Sequence, residues 1–275
     1  MHTIHLNGEV FDYPECWEEV FNRPDPAVAS YGMPPTPLGR QQGNTGVEVV
    51  KLACIGDNEL GRDGWELLIK HLLGCSDDYW EGLPLGIDQW IKLKELSRWV
   101  FSEKLLVRPL DSFFCGSNKF YLADEIPQMS AMHMAAGLAY FTQMGNEDES
   151  AVDWLIAVYS PLSPSGGNQK ERYNFKEIEA RAGLIAGMDQ WEKLVVSKYL
   201  TDTLSEFIEQ RNEMFGESGE PRYQNGEGWY FSLKNLAKQG YFESIVAAEN
   251  ATAEKAWDLM LDDAYDNRDS QKTDN

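Results

Sequence analysis

Histidine and cysteine most directly betray bases, nucleophiles and metal ligands, and this chain of 275 residues has four of each. His2 and His5 lie in the opening residues, His71 flanks a helical apolar stripe, and His133 sits between Met132 and Met134. A helical histidine among methionine and alanine reads as a packing residue, not as a base. Cys16, Cys54, Cys75 and Cys115 are widely spaced and form no CxxC pair. That spacing predicts neither a zinc site nor a disulfide scaffold, and the thiols are expected to be reduced. The HExxH, GxSxG and GxxxxGK[ST] signatures are missing. Carboxylates are numerous enough to hide an acid–base pair, and Asp77-Asp78, Glu147-Asp148-Glu149 and Asp262-Asp263 are the densest groups. Each borders a turn or helix end, where acids ordinarily cap backbone N–H groups or complement the helix dipole. Asp57, Asn58, Glu59 and Asp63 lack the spacing of a calcium loop. No catalytic residue, metal site or cofactor site is assigned.

A second kind of chemistry is recognition by aromatic side chains. The stretch from Gly226 to Val246 opens with a paired glycine, stacks Trp229, Tyr230 and Phe231, and closes on Gly240, Tyr241 and Phe242. Gly226-Glu227-Gly228 ahead of a helix could offer N–H groups to a phosphate. No strand precedes it, the third glycine of a dinucleotide fingerprint is missing, and Glu217, Glu220 and Glu227 repel anions. Trp229, Leu233, Leu236 and Ala237 instead fall on one face of a helix, with Gly240 as its left-handed exit. Trp229, Tyr230, Phe231, Tyr241 and Phe242 are therefore aromatic anchors, and they are the candidate partner-binding residues.

The elements that must position them read as mainly α. Asn7-Gly8 between two β-forming runs predicts an N-terminal hairpin, and Pro14 a short helix start. A Pro/Gly-rich loop spans 23–46, and Val47–Ile55 fits strand or helix equally. Helical faces follow behind Asp63 (Trp65, Leu68, Ile69, Leu72) and behind Asp88 (Trp90, Leu93, Ser97, Val100). A second hairpin is expected within 110–122, turning at Cys115-Gly116-Ser117-Asn118. The run from Ser130 to Met144 predicts a helix with Gly145 as a left-handed cap, and Val152, Leu155, Ile156 and Tyr159 mark the next face. A Pro/Ser/Gly break at 160–172 predicts a linker between a region 1–159 and a C-terminal helical region 173–275. There, Asn174 with Glu177 forms a capping box, Asp189 caps a helix running from Trp191 to Ile208, and Trp257, Met260, Leu261 and Ala264 face one way.

Lys+Arg 24 against Asp+Glu 45 gives a net charge of −21. Such a field repels phosphate backbones, so nucleic acid is not an expected partner. No cationic leader and no long apolar run is present, so neither membrane association nor export is expected, and the cytoplasm is the expected compartment.

Gly228–Val246 and Trp257–Tyr265 resemble acidic helical proteins of tailed bacteriophages and prophages, of the tail assembly chaperone type. Asp153–Tyr159, the helix start at Tyr173–Arg181, Trp191–Phe207 and the opening hairpin are similar in order and spacing. The likeness omits the loop at 23–46. It implies a non-enzymatic protein that keeps a tape-measure-like partner soluble until tail-tube subunits assemble. Two other classes are compatible with the composition: an acidic decoy mimicking nucleic-acid charge, and an enzyme built on scattered carboxylates.

Overall fold

The computed structural model describes residues 2–6, 9–22, 44–75, 80–83, 85–145, 148, 150–162, 172–211 and 228–273. The protein is mainly helical with two small antiparallel hairpins, as expected. It divides into two compact units: residues 1–111 with 190–199, and residues 112–189 with 200–275. The break predicted at 160–172 thus falls within the second unit, where the helices on its two sides pack on each other.

In the first unit, strands β1 (His2–Leu6) and β2 (Glu9–Tyr13) pair with Leu6 opposite Glu9, and the Asn7-Gly8 turn lies outside the described residues. Helix α1 (Trp17–Asn22) starts three residues beyond Pro14, not at it. The ambiguous apolar run resolves as helix α2 (Asn44–Ile55), in which Val47, Val49, Val50, Leu52 and Ala53 are all buried. Burial on more than one face overrides the strand preference of its valines. Most of the predicted 23–46 loop lies outside the described residues.

Helix α3 (Gly61–Leu73) buries Trp65, Leu68, Ile69 and Leu72. Asp63 is not its cap: the chain enters through Gly61 at φ +53°, so the helix starts earlier and Asp63 sits in the first turn, where it favours the dipole. Gly74, at φ +67°, ends it as a left-handed cap, with Cys75 N–H donating to Lys70 O. Helix α4 (Ile87–Ser97) starts after Gly86, whose N–H donates to Gln89 Oε1, with Asp88 in its first turn, and the short α5 (Trp99–Ser102) follows. Buried Tyr13 hydroxyl and Ser97 hydroxyl bond each other, tying β2 to α4. Trp17 packs edge-on to Trp99 at 5.1 Å and Trp65 against Phe101 at 5.3 Å, so aromatic pairs join α1 and α3 to α5.

The second unit opens with β3 (Ser112–Cys115) and β4 (Asn118–Tyr121), which turn at Gly116 (φ +59°) and stack buried Phe113 on Phe120 at 5.4 Å. Its hub is α6 (Ala131–Gly145), against which α7 (Ser150–Tyr159) packs. Contact is closest at Gly137. A Cβ there would fall on Tyr159 Oη and within 2.6 Å of its Cε2 and Cζ. Tyr159 is wholly buried, and its hydroxyl reaches His133 O at 3.4 Å. Helix α8 (Phe175–Ile185) then lies on α7. Asn174 caps it as predicted, accepting Lys176 N–H at 3.2 Å and donating to Glu177 at 2.7 Å. Tyr140, Trp154 and Phe175 stack at 5.4 and 5.5 Å, one ring from each of α6, α7 and α8.

Helix α9 (Gln190–Glu209) is followed by α10 (Gly228–Lys238), α11 (Ile245–Asn250) and α12 (Ala253–Thr273). Trp191, near the start of α9, is 47% exposed, while Val195, Leu200, Leu204 and Phe207 are buried. The N-termini of α6 and α12 are clamped together: Ala131 N–H donates to Ala251 O and Ala253 N–H to Met129 O, both at 2.8 Å. Gly145 is the last residue of α6 and has no left-handed φ. The Gln143 carbonyl accepts from Asp148 N–H at 3.3 Å.

Alanine at an exposed helical glycine would stabilise by about 1 kcal/mol. At Gly137 the opposite is expected: Gly137→Ala should lower the urea-unfolding free energy by about 2 kcal/mol through overpacking. The loss should shrink in a Tyr159→Phe background; an undiminished loss would place the strain elsewhere.

Candidate functional site

The five aromatic anchors do not act as one patch. Trp229, in the first turn of α10, leans inward onto the fully buried Trp257 of α12 at 5.6 Å. Trp257 in turn meets Phe207 of α9 edge-on at 6.0 Å. Arg211 covers Phe207 at 4.1 Å and donates to Asp258 Oδ1 at 2.9 Å. These contacts seat the start of α10 between the ends of α9 and α12. Tyr230 and Phe231, 5.8 Å apart, face outward and are 37% and 36% exposed.

At the far end of α10, Gly240 adopts φ +89° as predicted. Gly240 N–H donates to Ala237 O and Tyr241 N–H to Leu236 O, the paired bonds of a left-handed helix exit. This turn exposes Tyr241 and places the half-buried Phe242 under Lys255 Nζ at 5.7 Å. Gly226 and Glu227 lie outside the described residues.

Beside Trp229 an apolar groove of about 600 Å³ opens, lined by Leu138, Phe141, Met144 and Gly145 of α6, Ile208 of α9, and Trp229. The α6 wall is a stripe at i, i+3, i+4 and i+7 (Leu138, Phe141, Thr142, Gly145). Sequence reasoning assigned Gly145 to a cap and so missed the stripe, although its spacing was readable. The space above Gly145 is open, and a Cβ there would touch nothing within 4 Å. The volume suits a few apolar side chains from one face of a helix.

The polar clusters have structural duties. Ser130 Oγ and His133 Nδ1 lie 2.6 Å apart, a spacing compatible with nucleophile activation. Both residues are buried, however, and Ser130 Oγ also accepts His133 N–H at 3.3 Å, which makes it the N-terminal cap of α6. His133 Nε2 has no partner among the described residues, and the ring meets Tyr173 edge-on at 5.4 Å. Burial, reinforced by nearby Arg181, pushes the His133 pKa down to about 4, so the ring is neutral at pH 7. His71 is lowered by burial in the same sense, while His5 is exposed.

Among the acids, Asp148 accepts from Ser150 N–H at 3.0 Å and Ser150 Oγ at 2.7 Å, capping α7. Asp57 pairs with Arg98 at 3.8 Å, and Asp263 accepts from Gln239 at 3.5 Å. Asp77, Asp78, Glu147 and Glu149 lie outside the described residues. Among the described residues no group of three His, Cys, Asp or Glu is placed to hold a metal ion, and no helix is long and apolar enough to cross a membrane. None of the four cysteines is in a disulfide. No protein family, curated protein or solved structure matches the chain.

The buried His133 makes stability pH-dependent in a definite direction. Its folded pKa lies below the ordinary 6.5, so its contribution is complete above pH 6.5 and is lost as pH falls toward 4. Between those values wild-type protein should lose about 3 kcal/mol more unfolding free energy than His133→Gln, measured by urea titration at each pH. Parallel losses in the two proteins would show that His133 does not carry this acid sensitivity.

Proposed function

We propose that this protein is a non-enzymatic assembly factor of the tail assembly chaperone type, which shields an apolar helix of an aggregation-prone, tape-measure-like partner. The observation that carries the reading is the apolar groove between α6, α9 and α10, lined by Trp229 at the start of α10. An amphipathic helix laid there would bury its apolar residues against Leu138, Phe141, Met144 and Trp229. Half-exposed Tyr and Phe give contact area with few rotors to freeze, which favours affinity per residue. The net charge of −21 keeps such a complex dispersed through mutual repulsion. The resemblance of Gly228–Val246 and Trp257–Tyr265 to tail assembly chaperones supplies the partner class.

Co-expression with a tape-measure protein should raise that protein's soluble fraction and yield a complex that survives purification. Gly145→Leu fills the groove where there is room for a side chain, so it should leave the fold intact and cut complex recovery at least tenfold. Phe141→Asp, which puts a carboxylate in the groove wall, should weaken the complex similarly. Recovery of the complex at wild-type levels with both variants would remove the groove from the reading; no gain in the partner's solubility would remove the reading itself.

A further inference from the structure

A second groove lies in the first unit and shares no residue with the first. It encloses about 560 Å³, and its apolar lining is Trp80, Leu83, Leu85, Ile87 and Trp90, with Arg62, Glu66 and Glu81 at its edge. Ile87 is 79% exposed, and Ile91, one turn further along α4, is 49% exposed. Helix α4 therefore carries two faces: Leu93 and Ser97 look into the core, while Ile87 and Ile91 look outward. Two half-buried indoles beside two carboxylates form a particular chemical setting. Indole faces attract cations through the ring quadrupole, and planar guanidinium stacks on them better than ammonium does. Carboxylates accept the guanidinium's N–H groups in the ring plane.

We infer that this groove recognises an arginine side chain of a protein partner. The guanidinium stacks against Trp80 and Trp90, Glu66 and Glu81 accept its N–H groups, and Ile87 with Ile91 covers the apolar residues around it. The chain supplies its own stand-in: Arg62 Nε donates to Glu66 Oε1 at 3.1 Å. That pair is solvent-exposed, with Arg62 at 83%, and an exposed i, i+4 ion pair holds so weakly that an incoming guanidinium displaces it readily. The same pairing of rings and cations already operates in this unit, where Lys94 Nζ lies 4.5 Å over the Trp65 ring. Charge complementarity selects the occupant, because Glu66, Glu81 and a protein of net charge −21 disfavour an acidic segment and favour a basic one. The inference is independent of the groove beside Trp229.

The test uses the full-length protein labelled with ¹⁵N and follows its tryptophan indole N–H resonances. Those of Trp80 and Trp90 are assigned by their disappearance in Trp80→Phe and Trp90→Phe. Titration with N-acetyl-arginine amide should shift both signals saturably, while N-acetyl-citrulline amide, its neutral isostere, should not. The double variant Glu66→Gln/Glu81→Gln replaces two surface carboxylates without touching the core, and should weaken the interaction at least fivefold. Equal shifts with the citrulline compound, unchanged affinity in the double variant, or shifts of equal size at indoles throughout the protein would each overturn the proposal. The last outcome would reveal general attraction to an acidic surface.

Discussion

The second unit is organised around the contact of Gly137 with Tyr159. A helix pair can approach this closely only where one partner lacks a side chain, and α6 provides that gap in its middle. With the Tyr159 ring seated against its backbone, α7 has one axial position along α6. Other contacts then fall into register. Tyr140 meets Trp154, Trp154 meets Phe175, and the chain after α7 reaches the hairpin, where Ala123 N–H donates to Tyr159 O and Tyr121 N–H to Pro161 O, both at 2.9 Å. Helices α10 and α12 also pack on α6, and the groove opens along its C-terminal half. Its depth comes from a second glycine, Gly145, whose missing side chain leaves the end of the stripe uncovered.

Polar groups in this unit serve closure more than chemistry. Ser130 and Thr252 cap α6 and α12, and the backbone bonds between their neighbours hold the two helix starts side by side. Asp148 and Asn174 do the same for α7 and α8. Each cap satisfies N–H groups that a helix cannot satisfy itself, and each is worth about 1 kcal/mol. Several of the placed acids make structural contacts: Asp148 caps α7, Asp57 pairs with exposed Arg98, and Asp263 accepts from Gln239. His133 is the exception, since burial holds it neutral beside Arg181 and makes the hub helix sensitive to acid.

The two grooves differ in the chemistry of their linings. The one beside Trp229 is mostly apolar, with Thr142 in its wall, and would suit the hydrophobic face of a helix. The one beside Trp80 and Trp90 has a charged edge and suits a cation. Both are built on helices held by buried aromatics, Trp257 for α10 and Trp65 for α3. Such support keeps a binding surface in shape before its partner arrives and lowers the ordering cost of association. A large negative charge adds selectivity by repelling acidic competitors while leaving apolar contact intact.

Much of the architecture is legible in local residue chemistry. Apolar spacing marks the faces of α3, α8, α10 and α12, Asn174 with Glu177 marks a helix start, and Gly240 marks a helix end, because each rests on neighbours within one turn. The errors came where distant residues intervened. The strand-or-helix ambiguity at Val47–Ile55 was resolved by burial of most of the segment. Gly145 read as a cap because its sequence position allows one, but the helix runs through it. Trp229, Tyr230, Phe231, Tyr241 and Phe242 were visible as anchors, and the spacing of Trp229 with Leu233 and Leu236 already put Trp229 on the face that is buried. The sequence by itself determined a mainly helical, strongly acidic chain with aromatic anchors at the ends of α10. Only tertiary structure decided which residues Trp229 packs against and where the grooves open, because both depend on which helices meet across long stretches of chain.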